Sequence, residues 1–160
     1  MKIRPIKPED NQAIKHILQT DLKHFGLDIP GTAYFDSNLD KLNEFYDAQT
    51  NRAYFVVEDD QGKVMGGAGC AEFDWDNGIA ELQKIYLDKK AQGFGLSYKL
   101  IALVEDFAKK AGYKKLYLET HHNLKAAIHV YTKSGYQKLA GPIKNSDHSG
   151  AMDGFFIKTL

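Results

Sequence analysis

The chain has 160 residues, 43% of them hydrophobic and 12% aromatic, which suffices for one packed core and not for two. Its 21 basic and 21 acidic residues cancel, which argues against a nucleic-acid or anionic-membrane partner and favours a small molecule. The single cysteine, Cys70, cannot form an internal disulfide, and no run of about 18 apolar residues could span a membrane. The start of the chain also lacks the apolar run of a secretory signal. We therefore expect one cytoplasmic domain over residues 1–160.

The first half of the chain predicts a strand, two helices and three more strands. Residues 2–6 form the opening strand, and the first helix is marked by apolar residues at helical spacing: Ile14, Ile17, Leu18 and Leu22. Ser37 and Asp40 resemble a capping box and predict a second helix after them. Residues rich in β-branched and aromatic side chains then predict strands at 53–57, 64–73 and 79–87. These neighbouring strands should pair antiparallel.

The second half alternates helices and strands. An apolar stripe predicts a long helix that Gly112 ends: Leu96, Leu100, Leu103, Val104, Phe107 and Ala111. A strand at 115–120 follows, and Asn123 is interpreted as the N-cap of a helix that ends at Gly135. The last strands are expected near 136–139 and 154–159. The element order predicts an α+β fold with a mostly antiparallel mixed sheet of about seven strands and about four helices.

Two glycines stand where the fourth strand gives way to the long helix, in the segment Gln92-Gly93-Phe94-Gly95-Leu96-Ser97. Glycine permits a sharp turn there, and the start of a helix has unbonded N–H groups and partial positive charge. Such a site can bind a pyrophosphate without a lysine. The residues alone leave two interpretations open: a phosphate-binding loop, or a plain turn from strand to helix.

This segment, following the strand Glu81–Leu87, resembles the acetyl-coenzyme A (acetyl-CoA) signature of the GNAT N-acetyltransferases, with Ser97 where the family usually has glycine or alanine. Ile3–Asp10 and Tyr131–Tyr136 resemble two further segments of that family. The resemblance implies a GNAT-like transferase that passes an acetyl group directly from acetyl-CoA to a primary amine, without a metal. We expect the acceptor to be a small or amino-acid-like molecule, and we leave open whether the protein is a homodimer.

The resemblance also implies which residues contact the cofactor. Backbone groups of the fourth strand would meet the pantetheine arm, and the glycine segment would meet the pyrophosphate. These residues are Ile85, Tyr86, Leu87, Gln92, Gly93, Phe94, Gly95, Leu96 and Ser97. The usual family asparagine has no counterpart, because Leu124 holds its position seven residues before Tyr131.

Three residues are candidates for the proton transfers that acetyl transfer to an amine needs. The resemblance gives Tyr131 the role of acid towards the departing thiolate, for which an ordinary phenol pKa of about 10 is suitable. Glu81 would be the base that takes the amine proton, and His148, in the loop before the last strand, competes for that role. The structural alternatives are a core tyrosine, a salt-bridged strand glutamate and a solvated loop histidine.

The other histidines and the cysteine give weaker indications of a functional site. His121, His122 and His129 match no zinc-binding spacing, so no metal site is predicted. Cys70 is interpreted as a buried thiol, since direct transfer needs no acyl-cysteine, and the glycines before it do not form a nucleotide loop.

The acceptor is expected beside the loop 26–38, where Tyr34, Phe35 and Asp36 offer aromatic contact and charge. Two rival functions remain: transfer of a longer acyl group, and a non-catalytic module that binds acyl-CoA as a sensor. A sensor would bind acetyl-CoA, release no thiol with any amine and tolerate Tyr131→Phe and Glu81→Gln, whereas an enzyme with Tyr131 as acid would lose turnover on Tyr131→Phe and keep its cofactor affinity.

Overall fold

The computed structural model describes all 160 residues and contains one seven-stranded sheet with four α-helices. The strands are β1 Lys2–Pro5, β2 Ala53–Glu58, β3 Val64–Asp74, β4 Ile79–Leu87, β5 Lys115–Thr120, β6 Gln137–Leu139 and β7 Gly154–Thr159. The helices are α1 Asn11–His24, α2 Leu42–Asp47, α3 Leu96–Lys110 and α4 Lys125–Lys133. The predicted α+β class is confirmed. None of the helices has the length and apolarity needed to cross a membrane.

The sheet is antiparallel except at its centre. Its order is β1-β2-β3-β4-β5-β7-β6, and only β4 and β5 run parallel. Their pairing is short, because it begins at Ile79 opposite Lys115 and ends at Glu81 opposite Tyr117. Both strands continue beyond that point without a shared ladder, so a gap opens in the middle of the sheet.

A bulge in β4 accompanies this separation. Gly69 of β3 lies opposite Gln83, but Gly67 lies opposite Tyr86, so β4 contains one residue more than β3 between these pairs. Lys84, within the bulge, has a left-handed φ of 48°, and the hydroxyl of Tyr54 donates to its carbonyl at 2.9 Å. An extra residue bends a strand away from its ladder, which turns the end of β4 out of line with β5.

The glycines of β3 make room for the aromatic side chains that support β4. A Cβ at Gly69 would lie 2.6 Å from the hydroxyl of Tyr46, and one at Gly67 would lie 2.4 Å from the ring of Tyr54. This glycine run is therefore a packing device and not a nucleotide loop. Cys70 beside it is fully buried, and burial raises the pKa of its thiol to about 12, as expected of an inert core cysteine.

The two faces of the sheet are covered by different helices. On one face, α3 and α4 pack against the sheet in a core that includes Leu100, Val104 and Leu118. On the other face, α1 and α2 contribute Leu18 and Leu42 to a second core. Each such buried leucine contributes roughly 1.5–3 kcal/mol of apolar transfer free energy. The gap between β4 and β5 connects the two sides of the sheet.

Three local predictions were wrong, two of them because a tertiary contact prevailed over a local pattern. Ser37 and Asp40 form no capping box: the residue before α2 is Lys41, and the Asp40 carboxylate accepts from Gln12 and Lys15 of α1. Asn123 is not the N-cap of α4, which is Leu124; its amide donates to the carbonyl of Phe25 at 2.9 Å. Leu103 of α3 is 37% exposed, so it lies outside the buried stripe.

Candidate active site

Two adjoining cavities open from the gap between β4 and β5. The first, here called the glycine cavity, measures about 460 Å³ and is bounded by the segment after β4 and by α4. The second, the carboxylate cavity, measures about 360 Å³ and lies beside Glu81 and the loop between α1 and α2. They share wall residues: Asp21, Ile85, Tyr86, Leu124, Ala127 and Tyr131. The two cavities therefore form one cleft with two halves.

The segment Gln92–Ser97 presents backbone N–H groups to the glycine cavity. Gly93 and Gly95 have φ of 83° and 71°, left-handed values that only glycine adopts readily. The first bonded N–H of the helix is that of Lys99, which donates to Gly95 at 3.3 Å, so the preceding N–H groups are free. Alternating hands of backbone next to a helix start form an anion-binding concavity.

Phe94 differs from its neighbours in this segment. Its side chain is 65% exposed and does not line the cavity, whereas Gln92, Gly93, Gly95, Leu96 and Ser97 all do. Phe94 is therefore the one residue of this segment that does not border the glycine cavity.

The end of β4 offers an unpaired strand edge. Ile85, Tyr86 and Leu87 line the glycine cavity, and on the side that β5 has left their backbone groups lack a strand partner. The amide of Gln92 donates to the carbonyl of Leu87 at 3.2 Å, which ties the glycine segment to this edge. An extended ligand with amide groups can add to such an edge as a strand would.

Tyr131 of α4 lies where the two cavities meet. It is 6% exposed and lines both of them. Burial, and after it the negative charge of Asp21, raises the pKa of its phenol above the ordinary value. The expected match between an ordinary phenol and a thiol therefore does not hold here, because a raised pKa favours the protonated hydroxyl, which can serve as a hydrogen-bond donor.

Glu81 lies in the carboxylate cavity, at the last pair of β4 with β5. A hydrogen-bond chain orients it: the Tyr46 hydroxyl donates to Gln83 at 2.9 Å, and the Gln83 amide donates to Glu81 at 2.9 Å. Burial raises the pKa of the Glu81 carboxyl, and the bond from Gln83 offsets only part of this effect. A carboxyl with a raised pKa is better matched to proton transfer near neutral pH.

His148 also reaches the carboxylate cavity, but it is already engaged. Its ring bonds the carboxylate of Asp36 at 2.8 Å, and Lys84 bonds the same carboxylate at 2.7 Å. The bond to Asp36 raises the pKa of His148, which favours the protonated ring and makes it a weaker candidate base than Glu81. The three residues instead join β4 to two separate loops.

We expect the Asp36 bond to make the contribution of His148 to stability depend on pH. A histidine whose pKa is higher in the folded than in the unfolded protein stabilises the folded state. This contribution is complete below the unfolded pKa of about 6.5 and is lost as the pH rises through the folded pKa. His148→Gln should therefore lower the free energy of unfolding by about 1 kcal/mol near pH 5.5 and by much less near pH 9. Denaturant melts of both proteins at the two pH values measure this; an equal difference at both would contradict it.

Several wall residues were not found from the sequence. Asp36 lines the carboxylate cavity as expected, but Tyr34 and Phe35 do not. Glu119 was missed, although it lies two residues after Tyr117 on β5, a spacing that puts both side chains on the face of Glu81. Asp21 was missed because only the apolar residues of α1 form a recognisable pattern in the sequence.

The histidines give a further surprise. His121 and His122 approach Asp153, and one ligand atom from each of the three lies within 4.8 Å of the others. The sequence did not suggest this group, because Asp153 is far away along the chain. His122 bonds the Asp153 carboxylate, and none of the three lines either cavity.

A sheet split at its centre, with free N–H groups on one side of the gap and ionisable side chains on the other, can hold an anionic ligand next to groups suited to proton transfer. Residues 12–136 match the family model described as "Acetyltransferase (GNAT) family". The chain therefore belongs to the GNAT acetyltransferase family, as its sequence motifs predicted.

Individual relatives agree with this assignment. The uncharacterised N-acetyltransferase YjgM of Escherichia coli K12 is 36% identical over 139 residues, which cover 86% of this chain and 82% of the relative. A GNAT-family acetyltransferase from Staphylococcus aureus Mu50 has the same fold, with a TM-score of 0.85, 17% identity and coverage of 99% and 98% of the two chains. The putative acetyltransferase yncA of Salmonella typhimurium, solved with its cofactor acetyl-CoA, gives a TM-score of 0.75, 23% identity and coverage of 100% and 94%.

Proposed function

We propose that the protein transfers the acetyl group of acetyl-CoA to the primary amine of a small molecule, directly and within a ternary complex. The observation that carries this proposal is the meeting of the two cavities at Tyr131, on the same cleft as Glu81. A cofactor in one half and an acceptor in the other would then react at their junction, where side chains suited to handle both protons lie nearby.

The glycine cavity suits acetyl-CoA in its chemistry. The N–H groups of the segment 93–98 would bind the pyrophosphate, and the free edge of Ile85–Leu87 would bond the amides of the pantetheine arm. The thioester would then reach the gap beside Tyr131. The acetyl-CoA in the Salmonella relative supports this choice of cofactor. An N–H of the β4 edge would polarise the thioester carbonyl.

The residues of the cleft account for each proton. The amine nitrogen attacks the carbonyl carbon, forming the C–N bond, and Glu81 takes the proton that the nitrogen loses, directly or through water. The C–S bond of the tetrahedral intermediate then breaks, and CoA leaves as the thiolate. The Tyr131 hydroxyl donates to the departing sulfur, so the thiolate charge is met by a hydrogen bond in a low-dielectric site. The products are the N-acetyl amine, the CoA thiolate and protonated Glu81, whose proton passes to the thiolate or to solvent as the products leave.

The glycine segment can be tested with two matched variants. Gly95→Ala adds a Cβ among the N–H groups that would meet the pyrophosphate, so we expect the KM for acetyl-CoA to rise about tenfold with little change in kcat. Gly62→Ala is the control, because Gly62 has a similar left-handed φ of 81°, equal space and a position in the β2–β3 turn. Both should be destabilised alike, by about 1 kcal/mol. Equal KM values in steady-state kinetics would contradict the assignment.

The function itself is tested by measuring thiol release from acetyl-CoA with a panel of primary amines, amino acids and peptides. We expect release that depends on an amine, with the N-acetyl product identified by mass spectrometry. Propanoyl-CoA and longer thioesters in the same assay test the alternative of a larger acyl group. Release from none of these pairs would overturn the proposal. A cytoplasmic location and the oligomeric state stay predictions from the sequence.

A further inference from the structure

Glu119 is a carboxylate in the carboxylate cavity that the mechanism above does not use. It lies at the end of β5 and is partly buried. One oxygen accepts from the Ser146 hydroxyl, and the other accepts from the Tyr117 hydroxyl at 3.0 Å. Both donors are neutral, so the side chain is fixed in position while its negative charge has no cationic partner.

The other charged side chains of the cavity do not neutralise the charge of Glu119. Five carboxylates line the cavity, at Asp21, Asp36, Glu81, Glu119 and Asp147, against Lys84 and His148. Both of these basic residues already bond Asp36, at 2.7 and 2.8 Å. The cavity therefore carries a net negative charge, and Glu81 and Glu119 share it without a cation between them. Burying unpaired charge is costly unless a ligand supplies the counter-charge.

A second observation also indicates a missing ligand. The hydroxyl oxygen of Thr120 is buried without a hydrogen-bond partner; this residue is 2% exposed and lines the same cavity. Buried hydroxyls are seldom left without a partner, so a polar group is expected beside it.

The spacing of the two carboxylates suits a small molecule. Tyr117 pairs with Glu81 across the sheet, and Glu119 is two residues further along β5 on the same face. Strand geometry separates the two Cα atoms by about 8 Å or more, because β4 and β5 diverge from that pair onwards. One amine at Glu81 and a second charged group at Glu119 would thus need a linker of a few carbon atoms.

We propose that Glu119 binds a second positively charged group of the acceptor, so that the preferred acceptor is a short diamine and not a monoamine or an amino acid. The inference rests on the proposed function, since it assumes acetyl transfer at Glu81. An acceptor carboxylate would be repelled by the two glutamates, whereas a second ammonium group complements Glu119.

The test compares linear amines of three to six carbon atoms that differ only at the far end: a second amine, a hydroxyl or a carboxylate. Steady-state kcat/KM is measured for each with acetyl-CoA. At the best length, we expect the diamine to exceed the amino alcohol by about tenfold or more, mainly through KM, and the amino acid to be poorest. A diamine no better than the amino alcohol would overturn the inference. It would leave acetyl transfer intact, whereas no thiol release with any amine would overturn the function itself.

Glu119→Gln identifies the residue responsible. The amide keeps the shape and can bond the same two hydroxyls, so the preference for the diamine over the amino alcohol should fall by about tenfold. The control is Asp106→Asn on the exposed face of α3, which removes one negative charge outside both cavities and should keep the preference. An unchanged preference in folded Glu119→Gln would contradict this site. If this variant does not fold, the wild-type series still decides.

Discussion

Glu81→Gln is expected to lower kcat by about 100-fold or more, with the KM for acetyl-CoA nearly unchanged. The amide can still bond Gln83 but cannot accept the amine proton, and general bases contribute about 10²–10⁴-fold. The raised pKa of Glu81 also implies that wild-type kcat falls as the pH drops through that value, because the protonated carboxyl is no base. This limb should be absent from the variant, as a pH series of kcat will measure.

Glu72→Gln is a matched control for this experiment. Glu72 lies on β3 opposite Ala80, the residue next to Glu81, but its carboxylate pairs with Arg52 and does not line the cavity. Its replacement should leave kcat within about twofold of wild type. If Glu81→Gln behaves in the same way, Glu81 is not the base, and water or another group takes the proton.

Tyr131→Phe should lower kcat by about 100-fold, without weakening the binding of acetyl-CoA by more than a few-fold. The variant removes the Tyr131 hydroxyl from the junction of the cavities, so the thiolate departs without the hydrogen bond that this group would donate. Because burial raises the pKa of this phenol, the hydroxyl stays protonated through the working pH range, and we expect no alkaline limb from it.

Tyr136→Phe tests whether such an effect is specific. Tyr136 belongs to the same core cluster, is 4% exposed and has its ring centroid 6.2 Å from that of Tyr131, yet it lines neither cavity. A loss of activity in both variants would indicate a packing effect. A loss in Tyr131→Phe alone would support the donor role, and full activity of Tyr131→Phe would exclude it.

The elements that shape the cleft could be predicted from the sequence. The bounds of β4, β5 and β7 agree with expectation to the residue, because each segment combines strand-forming side chains with turn residues at its ends. The glycine segment was equally accessible, since a strand, two glycines and an apolar stripe are all local signals. Membership of the family followed from the same residues.

The chemistry of the cleft was less accessible, because it depends on contacts between distant residues. No local pattern reveals that Asp36 is held by Lys84 and His148, which lie 48 and 112 positions further along the chain. The bulge at Lys84 and the separation of β4 from β5 are also invisible in the pattern of residues. Burial shifts the pKa of Tyr131, and burial is a property of the packed fold.

In the proposed reaction, the cofactor and the acceptor meet in the gap between β4 and β5. The most direct test is a crystal structure of the dead-end complex with CoA and an amine acceptor. We expect the CoA sulfur about 3.5 Å from the Tyr131 hydroxyl, and the amine nitrogen bonded to Glu81 directly or through one water. A CoA sulfur away from Tyr131, or an acceptor outside the carboxylate cavity, would contradict the account.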